Sequence, residues 1–313
     1  MTDAKTDAEH AEAMKGQRGA RLLMMLDRRM VMAGGLAMTA GCSVAPAPSA
    51  PVSTDRPQRI VSLNPCLDVI LVRLADRPQI GALSHYARED YGSTIADIAR
   101  TLPFTYETAE EVIALRPDLV MTAKHSSLAT RNALGRLNIP TALFDVPETV
   151  AASLDQVREV ARLVGHPERG EALAAEIEAA LTAAAPAPGT RPLSALVFMP
   201  GGFASGPGTL MDEMMTRMGL ENAASRYGLQ RTMNVPLERV IADPPEILLA
   251  GEAYPGVPSW AERVMEHPAL ARVASDMQRA VFPERLLFCG GPVLIQTAAA
   301  LSRAREAALS RQA

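Results

Sequence analysis

Lysine is nearly missing from this 313-residue sequence. It occurs only at positions 5, 15 and 124, so arginine supplies almost all of the 31 basic side chains. Codon bias is a sufficient explanation, and no function follows from it directly. Cysteine is scarce too: three residues exclude a disulfide-scaffold protein and any four-thiolate zinc centre. A surplus of positive charge is absent, since 31 basic residues stand against 35 acidic ones, whereas a nucleic-acid-binding chain is usually basic. No apolar run reaches the roughly 18–20 residues of a membrane-spanning helix. Aromatic residues make up only 4%. Familiar catalytic signatures are lacking as well: there is no G-x-G-x-x-G, no P-loop ending in Gly-Lys-Ser/Thr, no G-x-S-x-G elbow and no H-E-x-x-H. What remains is 48% hydrophobic and 21% charged, long enough for one large domain or two lobes.

The first 41 residues read as an address. Asp27-Arg28-Arg29 precedes an uncharged stretch from Met30 to Gly41, which ends at Cys42. The adjacent arginines resemble a twin-arginine signal. Thr39-Ala40-Gly41-Cys42 resembles a lipoprotein box, with Thr39 where leucine is usual. The expectation is an export signal over 1–41, lipidation of Cys42, and a Pro/Ala-rich tether over 42–56. Cleavage near Ala45–Ala50 without a lipid is the alternative, and Met24 or Met25 is an alternative start. The mature chain would then be periplasmic and touch the membrane only through its anchor.

The body repeats itself. Arg59 to Leu63 is a β-branched run ending at Asn64-Pro65, followed by apolar residues with helical spacing at Leu67, Ile70, Leu71 and Leu74. Residues 110–115 read as a helix with acids in its first turn, stopped by Pro117 and followed at once by a buried strand, Leu119 to Met121. The same grammar returns 128 residues later, from Glu238 through Pro244-Pro245 to Leu249. Leu193 to Met199 repeats the opening strand. These patterns predict an α/β fold of two Rossmann-like lobes with parallel sheets, over 57–148 and 192–313. The connection, 149–191, contains helical stretches from Val150 to Val164 and from Glu168 to Ala185, the second a single long interlobe helix of about 27 Å.

Arg59 to Pro65, followed by residues 110–121, resembles the periplasmic substrate-binding proteins of ABC importers for ferric siderophores and cobalamin. The resemblance covers roughly 57–313 and includes the interlobe helix. It implies a monomeric, non-catalytic receptor with no cofactor and no resident metal. Such a receptor captures a metal chelate between its lobes and delivers it to a membrane permease and its ATPase. It also implies that Glu110 and Glu238, one acid per lobe, dock against permease arginines; on the residues alone both are ordinary first-turn helix acids. The ligand of such a fold lies at the carboxyl ends of the strands. That makes Asn64, Cys66, His85, Tyr86, Phe104, Lys124 and His125 the cleft residues of lobe one. Phe203, Tyr254, Trp260 and Cys289 are those of lobe two. Phe104 and Phe203 match cleft aromatics of the cobalamin binders, while Ala123 and Thr232 stand where those relatives carry tryptophan. Lys124, the only lysine of the mature chain, is a candidate cationic rim or a plain loop residue. His85 and Tyr86 are candidates for direct iron ligation, although four convergent hard ligands are not visible.

Two cysteines remain beyond the anchor. In an oxidising compartment Cys66 and Cys289 are a possible disulfide that would link the lobes near the cleft; two separately buried free thiols, or a metal or cofactor thiolate pair, are the other readings and stay open at this point. The competing function class is an exported two-lobe enzyme acting on a phosphorylated or anionic small molecule, for which the glycine-rich stretch from Gly201 to Thr209 would cradle the phosphate.

Overall fold

The computed structural model describes residues 56–199, 202–251 and 277–312, together with Pro268. The export signal, Cys42, the tether up to residue 55, Tyr254 and Trp260 lie outside these residues.

Lobe one alternates strands and helices: β1 (Ile60–Ser62), α1 (Pro65–Leu74), β2 (Ile80–Ser84), α2 (Ala96–Ala99), β3 (Phe104–Thr105), α3 (Ala109–Ala114), β4 (Leu119–Ala123), α4 (Leu128–Arg136) and β5 (Thr141–Phe144). Every residue of β1 and β4 is buried, as continuous apolar strands covered on both faces must be. The order is β3-β2-β1-β4-β5 and all pairings are parallel. The chain therefore winds outward in both directions from β1. The crevice opened by that reversal lies outside the carboxyl ends of β1 and β4.

Two helices connect the lobes, α5 (Val150–Leu163) and α6 (Pro167–Ala184). Pro167 starts α6, where a missing amide hydrogen costs nothing. The helices cross so closely that a Cβ on Gly170 would lie 2.4 Å from the Cβ of Ala161. The start of α6 is tied to lobe one: Arg169 donates to the Leu74 carbonyl (2.8 Å) and to Asp76 (2.7 Å).

Lobe two contains β6 (Leu193–Phe198), β7 (Phe203–Ser205), α7 (Leu210–Arg217), β8 (Leu220–Asn222), β9 (Thr232–Asn234), α8 (Leu237–Ala242), β10 (Ile247–Ala250), β11 (Gln278–Val281) and α9 (Val293–Gln312). Its sheet runs β11-β10-β6-β7-β9, with β8 also on β6. Strands β8, β10 and β11 obey the expected parallel arrangement. Strands β7 and β9 do not, and the sheet is mixed. The reason is the length of the β6–β7 connection. The Met199 amide donates to Phe203 O (2.7 Å) and the Gly202 amide to Met199 O (3.2 Å). A turn that short joins only antiparallel neighbours. The repeat survives this change: α3 and α8 each have six residues, and each leads into a strand parallel to the first strand of its lobe.

One core runs through both lobes. Ile60, Ile70 and Leu74 of lobe one join Val157 and Ile177 of the connection and Leu193, Val197, Met214 and Leu301 of lobe two in a single buried cluster. The lobes are also joined covalently, because Cys66 and Cys289 form a disulfide with their Cα atoms 5.0 Å apart. Around it the Gly291 amide donates to Ser153 Oγ (2.6 Å), and a Cβ on Gly290 would lie 2.4 Å from the same oxygen. In the unreduced exported protein, mass spectrometry after alkylation should show neither cysteine modified. Replacing both by serine should lower the unfolding free energy by about 2–4 kcal/mol, measured by denaturant titration.

Candidate functional site

The carboxyl ends of the five parallel strands put most of the candidate residues of lobe one along one edge. Asn64 and Cys66 follow β1, and His85 and Tyr86 follow β2. Phe104 lies in β3, while Lys124 and His125 follow β4. At the switch point Asn64, Cys66, Ala123 and His125 line a pocket of about 240 Å³ with Phe288 and Gly290 of lobe two. Asn64 has a local task there, since its Oδ1 accepts from the amides of Cys66 (3.0 Å) and Leu67 (3.2 Å) and caps α1. A second pocket, about 490 Å³, opens on the lobe-two side of Phe288 between Val146-Pro147-Glu148 and Met199, Met211 and Met214. Arg231 and Thr232 also line it, and Arg231 reaches Glu148 at 2.6 Å.

Lys124 lines an adjoining groove that shares Asp145, Val146 and Pro147 with the switch-point pocket. Its ammonium pairs with Asp145 (2.5 Å) over an open groove of about 790 Å³ along α5, where Lys124 and not His125 is the lining residue. Phe203 is exposed on β7 beside Asn234 of β9. It does not line either crevice pocket.

The densest group of side chains lies at the ends of β2 and β3. The His85 ring is 3.9 Å from that of Tyr86 and 5.0 Å from that of Tyr106, and Tyr106 meets Phe104 edge-on at 5.4 Å. The Arg88 guanidinium lies over the Phe104 ring at 4.1 Å. Tyr86, Phe104 and Tyr106 are all exposed, so this is an aromatic wall available to a ligand. Behind it Glu107 Oε1 lies 3.9 Å from His85 Nδ1. Burial lifts the Glu107 carboxyl to about 7. Deeper still, Asp68 on α1 is fully buried and accepts from the Ser84 amide (3.1 Å), and burial pushes its carboxyl up to about 8. The hydroxyls of Ser62 and Ser84 and the Ser84 amide pull the other way, but only the amide has hydrogen-bonding geometry.

Sequence reading finds His85, Tyr86 and Phe104 from their places at strand ends. It misses Arg88, Tyr106, Glu107 and Asp68. The Tyr106-Glu107 pair directly follows Phe104, and the same strand-end argument extended by two residues would have reached it. Asp68 carries no such signal, because an acid in a first helical turn is ordinary.

Glu110 and Glu238 are both exposed, each the second residue of its six-residue helix. Neither makes a hydrogen bond or ion pair among the described residues. The neighbouring side chains are occupied. Glu111 accepts from Thr105 Oγ1 and the Tyr106 amide (both 2.7 Å), and Arg239 donates to the Tyr227 carbonyl.

Asp68 makes stability depend on pH with a definite sign. Its folded-state pKa is raised, so its contribution is complete below the ordinary carboxylate range and is lost as pH rises toward about 8. Asp68→Asn keeps an acceptor for the Ser84 amide and removes that charge. The variant should be more thermostable than the parent at alkaline pH, with a flatter dependence of Tm on pH.

A family model described as "Periplasmic binding protein" matches residues 60–278. Solved structures share the fold. The periplasmic heme-binding protein RhuT from Roseiflexus sp. RS-1 is 24% identical, with a TM-score of 0.64, over 79% of this chain and 98% of that one. A periplasmic heme-binding protein from Pseudomonas aeruginosa is 22% identical, with a TM-score of 0.64, over 79% of this chain and 92% of that one. The periplasmic vitamin B12-binding protein BtuF of Vibrio cholerae is 17% identical, with a TM-score of 0.62, over 81% of this chain and 98% of that one. No curated protein matches the chain in sequence.

Proposed function

The chain belongs to the periplasmic binding protein family, and we propose that it is the capturing component of an ABC importer, holding a metal chelate between its lobes and delivering it to a membrane permease and its ATPase. The family is one of binding proteins, so the alternative of a two-lobe enzyme is set aside. The observation that carries the ligand assignment is the exposed wall of Tyr86, Phe104 and Tyr106 at the ends of β2 and β3, the strands that follow β1 outward in the sheet. Flat, conjugated chelates gain from stacking on such rings, by about 0.5–1.5 kcal/mol per pair beyond area burial. The fold relatives that bind heme and vitamin B12 support a chelate of this class. A corrin is the less favoured member. Ala123 is buried in the crevice wall and Thr232 lines the larger pocket, so neither supplies the ring that the cobalamin binders place there.

In this reading the ligand contacts come from His85, Tyr86, Phe104, Tyr106 and His125 in lobe one and from Phe288 in lobe two, while Phe203, which lines neither crevice pocket, is kept on its sequence position. Tyr254 and Trp260 are kept as lobe-two contacts on their sequence positions. Export removes residues 1–41, lipidated Cys42 tethers the body to the membrane, and the receptor acts as a monomer.

Glu110 and Glu238 form the docking pair. Each projects from a matching position on its lobe, and neither is spent on an internal contact. The double variant Glu110→Arg/Glu238→Arg should abolish uptake in cells while leaving ligand affinity within twofold. Normal uptake would remove the docking assignment. Ligand class is tested by native mass spectrometry of the exported protein against ferric siderophores, heme and cobalamins. Retention of none of them would overturn the chelate reading.

A further inference from the structure

Resting on the reading of the crevice as a ligand site, but not on which metal or chelating group fills it, we propose that the larger crevice pocket holds a flexible aliphatic arm of the ligand. The cargo is then an amphiphilic chelate. The pocket has a volume of about 490 Å³, and Met199, Met211, Met214, Leu286, Leu287 and Leu294 dominate its described lining. Small-molecule sites are typically of roughly 300–1,000 Å³ and mostly apolar. This one is continuous with the rest of the crevice. Val146 and Pro147 line it, the switch-point pocket and the groove along α5, and Phe288 stands in the wall of the first two. A ligand seated at the switch point has this pocket next to it, past Phe288.

The polar groups around the pocket are already engaged. Glu148 and Arg231, the only charged side chains among its described lining residues, pair with each other at 2.6 Å. Thr209 Oγ1 donates to the Gly206 carbonyl (2.9 Å) and accepts from the Asp212 amide (3.2 Å). Thr297 Oγ1 donates to the Val293 carbonyl at 3.1 Å. That leaves the hydroxyls of Ser205 and Thr232, register partners where β7 pairs with β9. A charged or strongly polar arm would lose its water here and find little to replace it. An alkyl chain gives up no hydrogen bond and gains by leaving water.

The lining also favours a chain over a ring. Phe288 is the only aromatic residue among the described lining residues, whereas the rings of lobe one gather at the ends of β2 and β3. Methionine side chains are unbranched and polarizable, and they fit irregular apolar shapes. Here the backbone that carries them is fixed. Asn222 Nδ2 donates to the Ser205 carbonyl and to Asp212 Oδ1 (both 2.9 Å), and Glu213 Oε2 accepts from the Val150 amide (2.8 Å). The first turns of α7, with Met211 and Met214, are thus tied to β7 on one side and to α5 on the other. These ties shape the pocket in advance of binding, which lowers the ordering cost of seating the arm.

The first test uses no chelate. 1-Butanol, 1-hexanol and 1-octanol are titrated separately into the exported protein labelled with ¹³C-methyl methionine. Met199, Met211 and Met214 should shift saturably, while Met121, fully buried in lobe one, should stay still. Affinity should rise roughly fourfold per added methylene, the equivalent of about 0.8 kcal/mol for each one buried. No saturable shift, or an equal shift of all methionines, overturns the proposal. The second test compares ferrioxamine B acylated on its terminal amine with an octanoyl or an acetyl group, two ferric chelates that differ only in chain length. The octanoyl form should bind at least about tenfold more tightly. Leu287→Trp fills the pocket from a half-buried position and should remove both the alcohol shifts and that preference. Leu210→Trp, also half-buried in the lining, serves in its place if Leu287→Trp does not fold. Equal affinity for the two chelates, or an octanoyl preference that survives in the folded tryptophan variant, overturns the arm. Failure of both chelates to bind counts against the chelate reading alone, because the alcohol titration decides the pocket by itself.

Discussion

The first turns of α1 fix the geometry of the crevice. Asn64 caps the helix, Cys66 bonds it covalently to lobe two, and Asp68 accepts from the amide of Ser84, the residue before His85. At its far end the Leu74 carbonyl takes a hydrogen bond from Arg169 of α6. One helix is thus referenced to the central strand, to the aromatic wall, to the other lobe and to the interlobe helix. A shift of α1 would be felt at all four places. The shared core reinforces this, since burying Ile70 and Leu74 with residues of both the connection and lobe two makes relative motion of the lobes a disturbance of close packing. Such a joint allows small rocking and resists wide closure. A ligand would be met by a crevice largely formed in advance.

Adjacent residues of like charge have different tasks in this fold. Glu111 staples the turn that carries Tyr106, whereas Glu110 faces solvent. In lobe two the neighbours are of opposite charge but divide in the same way: Arg239 is held against Tyr227 and Glu238 is exposed. Lys124 is likewise engaged, with Asp145, a residue that also lines the switch-point pocket. Candidate residues chosen by charge alone cannot be sorted in this way, because the sorting is done by neighbours that come from distant parts of the chain.

The low aromatic content also acquires a location. Three exposed rings together with His85 cluster at the ends of two strands, and Phe288 stands between the two crevice pockets. A chain poor in aromatics has concentrated several of them at one edge of the lobe-one sheet. The strand ends for Asn64, His85, Phe104 and His125 were legible because a buried β-branched run must stop at the sheet edge, and the next residues must emerge there. Glu107 was illegible. Its significance comes from a left-handed backbone and from the burial of its carboxyl beside His85, and both arise from packing between β2, β3 and α4.

The sequence by itself determined the alternation of strands and helices, the two-lobe repeat and the long connecting helix. Each of these follows from local periodicity and from prolines and glycines that stop one element and start the next. It also placed Glu110 and Glu238 at equivalent positions, since the repeat is a property of the chain. The mixed sheet of lobe two lay between local sequence and tertiary structure, because the short β6–β7 turn that reverses β7 is local while the pairing of β7 with β9 is not. Tertiary structure alone decided that the lobes share one core, and that Cys66 meets Cys289 across 223 residues. The shared core and the disulfide depend on distances between segments far apart in sequence, and no local pattern encodes them.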